Sequence, residues 1–148
     1  MIRMVLDDIA VSGEGNQFLM LLRSEEDDRV LPIVIDALQA LSIAAGRGDE
    51  KPERPMTHDL IASLLQVLNA QVERVEITDL VGGTYYAMLC VERGGVRFDV
   101  DARPSDALAV AVRAGAPIFV EESVLEASGL EEDDGSSGTR GSGGGFEA

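Results

Sequence analysis

"QVERVEITDLVGGTYYAMLCVERGGVRFDVDA", residues 71–102, decides the fold class. Its first arm, 71–80, alternates apolar and polar residues with the period of two expected of a strand. "VGG" (81–83) turns the chain, and "TYYAMLCVE" (84–92) returns it. The Gly94-Gly95 pair then suits a tight primed turn into "VRFDVDA" (96–102). In that last arm Val96, Phe98 and Val100 face one way, and Arg97, Asp99 and Asp101 the other. The last two arms thus make a hairpin across "RGG" (93–95).

The segments before and after extend this reading. "MIRMVLDDIAV" (1–11) alternates, "GEGN" (13–16) reads as a turn, and "QFLMLLR" (17–23) is apolar enough for a buried strand. "RVLPIVI" (29–35) reads as a further strand, with Pro32 pointing to an edge or a bulge. Helical spacing of Ala37, Leu38, Leu41 and Ala45 predicts a short helix over 36–46, stopped by Gly46. "RGDEKPE" (47–53) reads as a charged loop. From Thr57 to Asn69, Leu60, Ile61, Leu64, Leu65 and Leu68 form one amphipathic stripe. "SDALAVAVRAG" (105–115) is apolar nearly all round and predicts a buried helix; "APIFVEE" (116–122) is a last short strand, and "SVLEASGL" a final helical turn. Strands and helices come in runs, which predicts one α+β domain: a mixed, largely antiparallel sheet packed with about three helices. The domain is expected over 1–130. The acidic, Gly/Ser-rich 131–148 has little to bury and is expected to be a disordered tail.

Composition narrows the function. The chain of 148 residues carries a formal charge of −15 at pH 7, which argues against a general nucleic-acid coat protein without excluding a local anion site. A single cysteine, Cys90, excludes an internal disulfide framework and a multi-cysteine zinc site. No apolar run reaches the length of a membrane span and no signal peptide is evident, so a cytoplasmic protein without membrane contact is expected.

Two helix starts echo each other: "RPMTHDL" (54–60) and "RPSDAL" (103–108). Capping explains part of the pattern. Thr57 and Ser105 can each accept from a free first-turn N–H, and Asp59 and Asp106 complement the positive helix end. Capping does not explain Arg54, Arg103 or the only histidine, His58. If the two ends converge, they form an anion pocket. The arginines would hold phosphate, the carboxylates would hold Mg²⁺ or Mn²⁺, and His58 would act as general acid or base. The alternatives are a capping or surface role for His58, and ion pairs Arg54–Asp106 or Arg103–Asp59 that only tie the helix ends. Asp99 reads as the wet face of the sheet; Asp101 is open between that and a metal ligand.

The order "LPIVI" (31–35), "RPMTHDL", "VEITDLVGGTYYA" (75–87) and "DARPSDALAVAVRAGAPIFV" (101–120) resembles the bifunctional nuclease family, over nearly all of 1–127. The resemblance implies hydrolysis of phosphodiester bonds in DNA and RNA, and self-association into a homo-oligomer. Matched to the family's motif segments, the implied catalytic residues are His58, Asp59 and Asp106. The implied substrate contacts are Arg54, Thr57, Arg103 and Ser105, and the implied metal ligands are Asp59, Asp101 and Asp106. The chain departs from the family where Asp36 replaces a Gly and Gln39, before Ala40, stands where Glu is usual. A neutral amide ligates a hard cation less well than a carboxylate. The alternative function is a non-catalytic nucleotide- or anion-binding module of the same fold.

Overall fold

The computed structural model describes residues 1–11, 13, 17–48 and 52–136, with side chains to Gly129. The elements run β1 (Ile2–Val11), β2 (Phe18–Ser24), β3 (Val30–Ile35), α1 (Ala37–Gly46), α2 (Thr57–Val67), β4 (Gln71–Val81), β5 (Thr84–Arg93), β6 (Val96–Ala102), α3 (Pro104–Ala114), β7 (Ile118–Val120) and α4 (Glu122–Ser136). Among the described residues seven strands form one sheet in the order β3-β2-β1-β7-β4-β5-β6. All neighbours are antiparallel except β4 and β7, which run parallel. The α+β expectation holds. Among the described residues the helices number four rather than about three, because the expected final turn is the start of α4, which continues to Ser136. The boundary at 130 thus falls inside a helix. Residues 137–148 of the expected tail, 14–16 of the first turn and 49–51 of the charged loop lie outside the described residues.

The sheet has one covered face. Met4, Val75, Ile77, Ala87, Ile118 and Val120 are buried, and the registers Met4↔Ile118, Val75↔Ile118 and Ile77↔Ala87 place them on that face. Leu108 and Val110 from α3 and Ile43 from α1 complete the core above it. The opposite face carries charge. Arg74 stacks over Phe119 at 4.2 Å and bonds Glu76, while Arg97 bonds both Glu76 and Asp99.

Local chemistry sets the helix ends. Asp36 caps α1: its carboxylate accepts from the Gln39 N–H (2.8 Å), and the Gln39 Oε1 accepts from the Asp36 N–H (2.9 Å). Pro104 opens α3, where a missing N–H costs nothing. Gly115 ends it in the left-handed region at φ 68°. The amphipathic stripe of α2 divides in two. Ile61 and Leu65 pack against the core, whereas Leu60, Leu64 and Leu68 stay exposed, and no residue of α2 is fully buried.

Candidate functional site

The two Arg-Pro helix starts converge. His58, in the first turn of α2, lies between α1 and α3. Its Nδ1 is 2.6 Å from Ser42 Oγ, and its Nε2 is 2.9 Å from Asp106 Oδ1 in the first turn of α3. When the Ser42 hydroxyl donates to Nδ1, Nε2 carries the proton and donates to Asp106. The second Asp106 oxygen accepts from Arg103 Nε at 2.9 Å. Burial alone would raise the Asp106 pKa. The hydrogen bonds from Arg103 and His58 outweigh it and hold the carboxyl below its ordinary value. Asp106 is therefore ionised at neutral pH while about a third exposed (35%), and the His58 side chain keeps only 14% of its surface. Arg103 stays 68% exposed, and its two Nη groups have no partner among the described residues.

The second carboxylate faces elsewhere. Asp59 Oδ2 accepts from the Met56 N–H at 2.7 Å, and Oδ1 accepts from Arg113 Nε at 2.5 Å. The Met56 N–H first, then Arg113, lower its pKa. Arg113 is 94% buried by its side chain's 6% exposure, gives Nη1 to the Ala109 carbonyl, and leaves Nη2 without a partner among the described residues. It reaches Asp59 through a gap at Gly46, where a Cβ would stand 2.5 Å from Nη1.

Several expectations change. Thr57 and Ser105 are not caps. The cap positions are Met56 and Arg103, because both have extended backbone and helical geometry starts one residue later. Ser105 is buried and its Oγ takes the Gln39 Nε2 at 2.6 Å; Thr57 is exposed. The ion pairs Arg54–Asp106 and Arg103–Asp59 do not form, since Arg103 pairs within its own first turn and Arg113 reaches Asp59 first. Arg54 is exposed and makes no hydrogen bond among the described residues. Asp101 is exposed on β6, opposite Met88, and Asp99 pairs with Arg97 on the wet face. Among the described residues no three His, Cys, Asp or Glu side chains are placed to share a metal ion, so Asp59, Asp101 and Asp106 do not form such a set.

Three side chains that shape the site had weak sequence signals. Ser42 is the one hydroxyl in the buried face of α1. Arg113 is the one cation of α3, in its otherwise apolar second half. Gln39 showed itself only as a departure from the family. Beside Arg103 and Ser105 opens a cleft of about 490 Å³, walled by Ile35, Asp36, Gln39 and Tyr85. Among the described residues no helix is long and apolar enough to cross a membrane.

The sequence profile of the bifunctional nuclease domain matches residues 20–133. An uncharacterized protein of Mycobacterium tuberculosis is 45% identical over 122 residues, covering 82% of this chain and 73% of its own. Bifunctional nuclease 1 of Oryza sativa subsp. indica is 25% identical over 116 residues, 76% of this chain but 35% of the plant protein. Bifunctional nuclease 2 of Arabidopsis thaliana is 27% identical over 104 residues, 68% of this chain and 32% of its own.

Proposed function

The chain belongs to the bifunctional nuclease domain family, and from that premise we propose that it hydrolyses phosphodiester bonds of DNA and RNA at the junction of α1, α2 and α3. The observation that carries this reading is the chain Ser42–His58–Asp106–Arg103, four side chains from three helices joined end to end. Arg103 keeps Nε on Asp106 and presents its free Nη groups to the phosphate as a planar fork. The N-terminus of α3 adds positive potential at the same place. Asp106, ionised and part-exposed, orients the attacking water and takes its proton. His58 holds that carboxylate from behind, donating its Nε2–H to Asp106 Oδ1. Asp59 acts through structure, tying α2 to Arg113 rather than touching substrate. The carboxylates do not fit a three-ligand ion site, so no step is assigned to Mg²⁺ or Mn²⁺.

A second reading has its own support. Gln39 stands where a carboxylate is usual, and both ends of its amide are used inside the protein. With His58 also bonded through both nitrogens, the same cleft suits a module that binds nucleotides or other anions without turnover.

Hydrolysis of single-stranded DNA and RNA separates the two. The purified protein would be assayed with Mg²⁺, with Mn²⁺ and with EDTA, beside His58→Ala, Asp106→Asn and Arg103→Ala. Cleavage lost in all three variants supports the nuclease. Binding without cleavage, weakened by Arg103→Ala, supports the module. Equal cleavage by every variant places the activity elsewhere.

A further inference from the structure

The strand β6 closes one edge of the sheet and is exposed from Val96 to Asp101. Among the described residues its only substantial neighbour is β5. Val96, Phe98 and Val100 pair with Arg93, Val91 and Leu89, so they lie on the face that carries the helices. Yet they are 54%, 51% and 48% exposed, because the helix layer ends before it reaches them. An apolar row on an unpaired edge is a template for another strand.

The other face of β6 says which strand fits. Along it stand Arg97, Asp99 and Asp101. Suppose two copies pair antiparallel about a two-fold axis through Phe98. Arg97 then faces the Asp99 position of the second copy, twice over, and no like charges meet. Val96 meets the Val100 position, and Phe98 meets its own equivalent. Sliding the register by one pleat toward the C-terminal end sets Asp99 against itself; sliding it the other way sets Arg97 against itself. Opposite-charge and aromatic cross-strand pairs stabilise a sheet, and like charges directly opposite destabilise it. The edge is thus complementary to itself in one register. We infer that two copies of this chain join through β6, centred on Phe98, into one continuous sheet with the two α1–α2–α3 junctions as separate sites.

The test uses the full chain. Light scattering and sedimentation equilibrium are expected to show a dimer. Arg97→Asp and Asp99→Arg should each weaken it roughly tenfold at low salt, and the double exchange should restore it. Phe98→Cys should oxidise in air to a covalent dimer, because facing residues across antiparallel strands sit about 4.5–5.5 Å apart, within disulfide reach. Val96→Cys, displaced from the axis, should not. Circular dichroism confirms that each variant is folded. A wild-type monomer at the highest soluble concentration overturns the inference. So does a dimer that ignores every β6 variant but dissociates on Leu64→Lys, which would place the contact on the exposed stripe of α2.

Discussion

Gly46 and Arg113 stand so close that a Cβ on the glycine would lie 2.5 Å from Arg113 Nη1. The absent side chain leaves room for the guanidinium to pass between α1 and α3 and reach Asp59. An alanine at this helix end gains at most about 1 kcal/mol of propensity. Forcing a buried side chain aside costs about 1–3 kcal/mol, and here it also strains the Asp59 pair. Gly46→Ala is therefore expected to lower stability by roughly 1–2 kcal/mol, seen as a lower urea midpoint with an unchanged slope.

Ser42→Ala removes the hydrogen bond to His58 Nδ1 in a buried place. An unsatisfied buried group costs about 1–3 kcal/mol. The thermal midpoint should fall accordingly. On the nuclease reading, turnover per folded molecule should fall as well, with KM little changed, because the ring no longer holds Asp106 in place. Initial rates measured well below the midpoint check this. An unchanged rate would make Ser42 a packing residue only.

Asp59 contributes to the acid limb of stability. Its pKa is lowered in the folded state, by the Met56 N–H and then by Arg113. A lowered carboxyl contributes stability that is full above its unfolded value, about 3.9, and is lost as pH falls through the folded value. Urea midpoints should therefore drop below about pH 4. Asp59→Asn should be less stable at neutral pH and show a flatter decline in acid.

Gln39→Glu should fold with little loss, within about 1 kcal/mol. A carboxylate can accept the Asp36 N–H as the amide oxygen does, and Glu is at home in that capping position. The Ser105 hydroxyl, which now accepts from Gln39, would turn and donate. Thermal unfolding checks the fold. A rise in nuclease turnover in the same variant would mark position 39 as part of the reacting site.

Cys90 should be inert. Its burial, and then the nearby Glu76 charge, push the thiol up to about 11. Since the thiolate is the reactive form, a thiol reagent at pH 8 should label the native protein very slowly and the urea-unfolded protein at once.

Much of the fold was legible along the chain. Period-two alternation in 71–102 and the Gly-Gly turns set three strands of the sheet, because side-chain direction in a strand follows from sequence position alone. Gly115 bounded the far end of α3 for a similarly local reason. The sequence by itself also determined the family and the two Arg-Pro helix starts. Tertiary structure alone decided which side chains meet. Thr57 and Ser105 were expected as caps, but the shape of the backbone moved the caps one and two residues upstream, to Met56 and Arg103. Asp59 and Asp106 look alike in sequence. Packing gave one to Arg113 and the other to His58 and Arg103, since a long buried side chain admitted by Gly46 reaches Asp59 before any other cation. Such pairings depend on distances between helices far apart in the chain, and no periodicity within a single helix carries them.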